Sequence, residues 1–425
     1  MTTSQTRPTR SVLLVHHRQL STPYGTTIPH YVTKELATSH TVHLLCRRRS
    51  DTADDGDLPE TVDYTEIDAG QIPILSGILF LLLSTAYTGV FAVRNDYDAI
   101  YAFQQTIIQG WIGSLVGGAR FVVGLQSVPV RQTRDLSRAG DRRVPLKKRL
   151  RVAFKSRYAW AVGRLLAKAT AVTCLTDGIR ATTEQEYGID LSDAHIIGMG
   201  VDVERFAVDD AAETAADTFV LTYVGSIGVP RGLEHVIEAV AATDHEIQFR
   251  VAGTGSDDYI ESLQRLARDL DIEDRVTWLG LVPHDAIPAL VAQSDAAISP
   301  LHDIESYRIS FPAKLLEYMA AGTVVIATDI PAHRRLIDDG RNGLLYDGSA
   351  ATLRDTLDGC LRGDVDSRRL GQAARDTVAA YDWTAIAHEH EHALFGTPLD
   401  RPDSSTVADA STHSSETVSA EGDEG

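Results

Sequence analysis

The chain reads as an α/β protein built from two doubly wound parallel-sheet domains. Three observations carry that reading. Its 425 residues exceed one ordinary domain and suggest two. Short apolar runs alternate with helical patterns along both halves. Glycine-containing turns follow several of those runs just before a helix begins, which is the layout of βαβ units.

The first series opens with an apolar strand at Ser11–His16. A turn-rich stretch with Pro23 and Gly25 follows, then a helix from about Pro29 and a strand at Thr41–Leu45. Further strands are expected at Ala99–Phe103, Phe121–Leu125, Ala171–Leu175 and His195–Ile197. The second series begins at Phe219–Val224 and continues at Ile247–Ala252, Val276–Leu279, Ala296–Ser299, Val324–Ala327 and Gly343–Tyr346. Residues 1–198 are therefore read as the first domain, 199–217 as a linker and 218–380 as the second domain. A terminal helix at 381–397 returns to the first domain. Residues 398–425 are Ser/Thr/Asp/Glu-rich, contain no aromatic residue and read as a disordered acidic tail. The first ten residues are polar and lack a secretory apolar core, so a cytoplasmic protein is expected.

Composition narrows the class. A hydrophobic fraction of 43% is that of a globular chain. Cys46, Cys174 and Cys360 are too few and too far apart for a disulfide framework or a thiolate zinc site. The 40 Asp and 19 Glu outnumber 34 Arg and 6 Lys, giving a net charge of −19. Such an Asp-rich, Lys-poor surface suits a salt-screened, halophilic cytosol, and it disfavours nucleic acid as a partner. The charge is uneven, however. Arg131 to Lys168 holds 13 Lys/Arg and two Asp, a local +11, so the remainder carries −30.

Two segments of the first domain point to a membrane. Ile72–Val93 is 22 residues long and has no charged side chain. Its length would permit a span, but it sits inside an α/β series and contains Pro73, Gly77 and Gly89. A membrane-dipping or buried helix, a span and an ordinary core helix are all open, and the first is favoured. Within 131–168, Leu146, Leu150, Phe154, Tyr158, Val162 and Leu165 form one helical stripe. Lys147, Lys148, Arg149, Arg151, Lys155 and Arg157 surround it. That pattern suits an anionic membrane face; the alternative is a core-packed helix with a solvated basic side.

Three turns in the second domain could carry chemistry. Gly225 to Gly232, with Ser226 and Arg231, joins a strand to a helix and offers backbone N–H groups and a cation to an anion. Gly253 and Gly255 end the next strand and allow a ligand close to the backbone. In Phe311–Thr328, Lys314 and Glu317 are three apart and share a helix face, with Leu315 between them. Taken singly, each is as consistent with ordinary turn glycines or an exposed ion pair. His16 and His17 end the first strand, where parallel sheets often meet ligands, or they are loop histidines. The pairs Asp55/Asp57, Asp96/Asp98 and Asp364/Asp366 read as surface, and no metal is expected.

Together the stretches GSIGVPRGLEHVIEAV, VAGTGSDD, DRVTWLGLVPHDAIPALVAQSDAAISPL and FPAKLLEYMAAGTVVIAT, in that order, resemble the donor domain of family 4 glycosyltransferases. Gly200 to Phe206 is similar to that family's interdomain segment. The resemblance covers roughly residues 11–395 and implies a GT-B fold, two Rossmann-like domains facing across a cleft. It implies a retaining, metal-independent transferase of hexosyl type that uses a nucleotide-diphosphate sugar as co-substrate and no further cofactor. Arg231 aligns with the basic residue that contacts the donor diphosphate. That residue's usual arginine partner is Ser226 here, so Arg231, Lys314 and backbone N–H groups must meet the phosphate charge. Gly225, Gly253, Gly255 and Leu315 belong to the same donor site. Glu317 matches the second glutamate of the family's pair and would hold the ribose, while the first falls on Ile309. Gly25 matches the acceptor-side glycine loop, and Gln104 or Gln105 stands where a histidine is common. Arg231, Lys314 and Glu317 are thus the catalytic candidates, and Gly25, His16 and Gln104 the acceptor-side ones. A lipid-linked glycan or glycolipid is the acceptor expected, with peripheral contact at the cytoplasmic membrane face. The alternatives are another GT-B enzyme, such as a sugar-nucleotide epimerase, and a non-catalytic membrane partner.

Overall fold

A computed structural model describes residues 9–17, 28–48, 58–70, 72, 75–128, 163–207 and 218–396. Gly25, the stripe at 146–162, Asp55, Asp57 and the tail at 398–425 lie outside the described residues.

The first sheet has seven parallel strands: β1 (Ser11–Val15), β2 (Thr41–Arg47), β3 (Asp63–Ile67), β4 (Ala99–Phe103), β5 (Arg120–Leu125), β6 (Ala171–Cys174) and β7 (His195–Ile196). Their spatial order is β3-β2-β1-β4-β5-β6-β7. The second sheet has six: β8 (Phe219–Val224), β9 (Ile247–Ala252), β10 (Val276–Gly280), β11 (Ala296–Ser299), β12 (Val324–Thr328) and β13 (Leu344–Tyr346), ordered β10-β9-β8-β11-β12-β13. The strand order reverses between β1 and β4 and again between β8 and β11. A crevice opens at the carboxyl ends of the strands at each such switch point. These are the two-domain Rossmann-like architecture and GT-B arrangement expected of the sequence. The edge strand β3 was missed: DYTEI has almost no apolar side chain, and only Ile67 is buried.

The chain crosses between the layers twice. Val201 and Phe206 are buried in the apolar cluster that holds Leu315, Leu316 and Met319 of the second domain. The helix Trp383–Phe395 comes back across. Its Trp383, Ile386, Ala393 and Leu394 pack with Leu14, Tyr101 and Tyr31 of the first domain. The Trp383 and Tyr31 rings stack 4.4 Å apart at 3°. His390 on this helix meets the Tyr101 hydroxyl at 2.9 Å and is fully enclosed, so burial lowers its pKa to about 3. Burial likewise lowers the pKa of His333, which is bonded to the Thr328 carbonyl at 2.7 Å, to about 4.

After the first helix, α1 (Ile28–Leu36), the helix pair α2 (Leu75–Arg94) and α3 (Ile107–Gly117) is built inside out for a helix in water. The buried stripe of α2 is Ser76, Phe80, Ser84, Thr88 and Ala92. Its Leu75, Ile78, Leu79, Leu82, Val90 and Val93 are exposed, and Val93 reaches 69%. Leu115 and Val116 extend the exposed apolar surface from α3. Two glycines let the helices touch. A Cβ on Gly113 would lie 2.7 Å from Thr88, and one on Gly117 2.5 Å from the Ala92 carbonyl. Gln109 Nε2 donates to Ser84 Oγ at 2.9 Å in that seam. Small residues and an interhelical polar bond are the packing idiom of helices in lipid. The helix is long and apolar enough to cross a bilayer, yet its two ends join β3 and β4 of one sheet. The purely core-helix reading of 72–93 does not hold, because only 28% of the apolar window is buried.

The aspartate pairs that lie in described residues stand at the surface, and three of the four residues make local contacts. Asp98 accepts from Arg10 and from the Ser11 amide, Asp364 pairs with Arg362, and Asp366 caps the helix Ser367–Val378.

Two expected outcomes follow from this packing. Gly117→Val should destabilise the chain by about 1–3 kcal/mol through overpacking against Ala92, read as a lower denaturant midpoint. Stability should also fall as pH drops below about 6.5. The unfolded chain then takes up protons at His390 and His333 while the folded chain does not, until pH nears about 4 and 3. His390→Asn should flatten that slope in pH-dependent denaturation.

Candidate functional site

At the second switch point, three loops meet through backbone that only glycine permits. Gly225 ends β8 at φ 159°, and Gly253 ends β9 at φ 148°. A Cβ on Gly253 would sit 1.7 Å from the Gly225 carbonyl oxygen. One on Gly255 would sit 2.0 Å from the Ile227 carbonyl, and one on Gly232 2.1 Å from that of Pro300. Hydrogen bonds then fix the contacts: Ile227 N donates to Thr254 O at 2.8 Å and Gly253 N to Gly280 O at 2.7 Å. The β8, β9 and β11 loops thus form one rigid edge.

Arg231 sits on that edge. It ends the short helical turn Val229–Arg231, and its guanidinium lies 5.3 Å from the Tyr307 ring centroid. The stacking orients the cation. Ser226 is exposed at the same turn, and its carbonyl accepts from Tyr223 Oη at 2.7 Å.

The third component is the helix Ala313–Ala320, which follows Pro312. Glu317 is 2% exposed, and its Oε2 accepts from Lys314 Nζ at 2.9 Å. Lys314 is half-buried, with 38% of its side chain exposed. A carboxylate this deeply enclosed is held in place by its ammonium partner. A carboxylate can accept hydrogen bonds from hydroxyl groups, and an ammonium near a helix N-terminus can meet an anion. Leu315 is fully buried, and its amide donates to Pro312 O. It supports the helix from the core, and its side chain offers nothing to the cleft.

Residues the sequence did not single out complete this group. His284 is buried, and burial lowers its pKa against the pull of the nearby Glu317 carboxylate. Its Nε2 has no hydrogen-bond partner among the described residues. Arg205 pairs with Asp285, and Tyr31 of the first domain also lies in the field of Arg205 and Glu317. Burial raises the Tyr31 pKa to about 12, so the phenol stays a donor. None of these could be placed from spacing, since they come from separate elements. The one available signal was the arginine of the interdomain segment.

Position 309 also has a structural role. Thr176 Oγ1 donates to the Ile309 carbonyl at 2.6 Å across the cleft. The Ile309 side chain packs against the first-domain cluster around Leu175 and Ile179. Where the resemblance places the first glutamate of the pair, this chain has an apolar interdomain contact.

On the first domain, His16 is buried at the end of β1, edge-on to Phe103 at 5.6 Å. Gln104 follows β4 at φ 20°, and its Nε2 donates to Ser127 Oγ at 2.8 Å. Both stand at the first switch point, but Gln104 is turned toward the β5 loop. Gly25 lies outside the described residues.

Comparison with known proteins agrees with the two-domain fold. The sequence pattern of the family described as Glycosyltransferase Family 4 matches residues 27–205, and that of Glycosyl transferases group 1 matches 218–362. The D-inositol 3-phosphate glycosyltransferase of Frankia alni is 29% identical over 259 residues, 55% of this chain and 62% of that protein. The phosphatidyl-myo-inositol mannosyltransferase of Mycobacterium tuberculosis is 32% identical over 211 residues, 47% and 53% of the respective chains. The chain thus spans about half the length of the curated relatives it matches. Among solved structures, Anabaena HepE in complex with UDP superposes with a TM-score of 0.68 at 19% identity, covering 91% of this chain and all of that one. The sucrose-phosphate synthase of Thermosynechococcus elongatus gives 0.69 at 19% identity, covering 90% and 98%. At these identities the likeness is one of fold.

Gly253→Ala should collapse the loop edge, because its Cβ has no room beside Gly225. The expected result is a fall in stability of about 2 kcal/mol or more in chemical denaturation, with Gly359→Ala, where a Cβ meets nothing within 4 Å and φ is not positive, much milder.

Proposed function

We propose a specific reaction for this chain, which belongs to the family 4 type of glycosyltransferases with the GT-B fold: it moves a sugar from a nucleotide-diphosphate sugar to a lipid-linked acceptor at the cytoplasmic membrane face. The observation that carries the reading is that Arg231 and the Lys314-paired Glu317 both act on Tyr318, whose hydroxyl is bonded to the Val224 backbone at the end of β8 beside the second switch point. Cations at a leaving diphosphate, and a buried carboxylate that can take ribose hydroxyls, are what such a donor requires.

In the step proposed, the bond from the sugar's anomeric carbon to the diphosphate oxygen breaks. A bond to the acceptor oxygen forms on the same face, and the acceptor's proton passes to a phosphate oxygen. The products are the glycosylated acceptor and a nucleoside diphosphate. Arg231, Lys314 and backbone N–H groups stabilise the departing charge, which is greater in the transition state than in the ground state. The same cations serve without a metal or further cofactor. Closure of the first domain over the crevice, with Thr176 meeting Ile309, excludes water and so suppresses hydrolysis.

The exposed apolar face of α2 and α3 supports the membrane reading, as does the basic stretch at 131–168 in the sequence. With both ends of α2 tied to one sheet, the helix lies in the interface plane rather than spanning it. Of the two relatives, the name of one contains phosphatidyl-myo-inositol, a phosphorylated lipid, which supports the lipid reading; the D-inositol 3-phosphate in the name of the other is a soluble polyol phosphate.

Transfer of labelled sugar from a panel of nucleotide sugars to a lipid extract tests the reaction. Arg231→Ala should lower the rate about 10²–10³-fold, and equal product from Arg231→Ala and Glu317→Ala would remove the catalytic reading. Flotation with anionic liposomes tests the membrane contact: Leu82→Glu/Val93→Glu should leave most of the protein in the dense fraction, whereas unchanged flotation would contradict it.

A further inference from the structure

A second group of side chains stands beside the Arg231 turn and is unused by the proposed transfer. Glu234 and His235 lie in the first turn of the helix Leu233–Ala242, and His302 lies in the loop after β11. One ligand-type atom from each lies within 4.8 Å of the other two. His302 Nε2 meets Glu234 Oε1 at 2.8 Å, and Tyr259 Oη donates to Glu234 Oε2 at 2.7 Å. An ion pair would account for those two contacts. It does not account for His235, whose ring stands edge-on to His302 at 4.9 Å. Among the described residues His235 has no hydrogen bond or ion pair of its own. Two imidazoles turned toward one carboxylate leave ring nitrogens and a negative charge sharing one small space.

The scaffold under this group is fixed. His302 N donates to Pro230 O at 3.1 Å, and the Gly232 backbone abuts Pro300 too closely for any Cβ. The loop bearing His302 and the turn leading to Glu234 are therefore held at one separation. Tyr259 plays the outer part commonly found behind a ligating carboxylate, fixing one oxygen so that the other faces the ion.

We propose that Glu234, His235 and His302 bind one Zn²⁺ ion or a similar late first-row divalent cation. Two imidazoles and a carboxylate are the donor set such ions prefer, whereas Mg²⁺ and Ca²⁺ favour all-oxygen shells. A tetrahedral ion draws its ligand atoms to roughly 3.3 Å from one another, so small side-chain rotations close the present spread. The Glu234 and His302 side chains are 27% and 30% exposed, which leaves a route in and a fourth position open to solvent. The bound ion ties the β8 loop that carries Arg231 to the β11 loop. Binding at this site does not depend on the transferase reading.

The test uses the full chain stripped of metal, titrated with Zn²⁺ alone by calorimetry, with Co²⁺ absorption as a coordination signature. One ion per chain is expected, with a d–d band typical of four-coordinate cobalt and no competition from millimolar Mg²⁺. His235→Ala and His302→Ala should weaken that binding at least tenfold. His302→Gln keeps a hydrogen bond to Glu234 but removes the ligand, and should weaken it as much while leaving the thermal midpoint unchanged. His388→Ala, in the separate pair with Glu391, should bind as the unaltered chain does. Failure of the chain to take up one ion, or equal uptake by the His235 and His302 variants, would overturn the proposal.

Discussion

Everything proposed for the second domain rests on one close contact, the backbone of Gly253 against the carbonyl of Gly225. At 1.7 Å from the place a Cβ would occupy, no other residue fits there. That contact draws the β8 and β9 loops into one edge, and Gly232 against Pro300 adds the β11 loop. The edge fixes the turn that carries Arg231, one of the residues proposed to meet the donor diphosphate. The strand order explains why this happens between β8 and β11, since that is where the two halves of the sheet diverge.

The first domain shows a different economy. Its α2 hides serine, threonine and alanine against glycines of α3 and exposes leucine and valine. In water that arrangement leaves apolar surface unburied at about 25 cal/mol per Å²; against lipid it is neutral or favourable. The domain that would take the acceptor therefore also carries the surface suited to reach it. The C-terminal helix links the two halves, because its Trp383 stacks on Tyr31, which in turn stands near Arg205 and Glu317.

Much of this was legible in the sequence, for physical reasons. Fully buried parallel strands such as Ala99–Phe103 and Val324–Thr328 are unbroken apolar runs, and glycine turns mark the helix starts after them. The proposed donor residues Arg231, Lys314 and Glu317 lie on short local motifs, so order and spacing were enough to single them out. What stayed hidden depends on contacts between distant segments. β3 is an edge strand with polar side chains. His284, Tyr31 and Arg205 meet Glu317 only once four elements have packed. The use of Ile309 as an interdomain contact needs Thr176, 133 residues away, to be seen. Leu315 could be placed on the right helix, but not on its core-facing side, from a motif alone.

The central claim is that this edge holds a nucleoside diphosphate. Calorimetric titration of the full chain with a panel of nucleoside diphosphates tests it most directly. The account predicts one-to-one binding of at least one of them, lost together in Arg231→Ala and Lys314→Ala. Binding that is indifferent to both substitutions, or no binding across the panel, would contradict it.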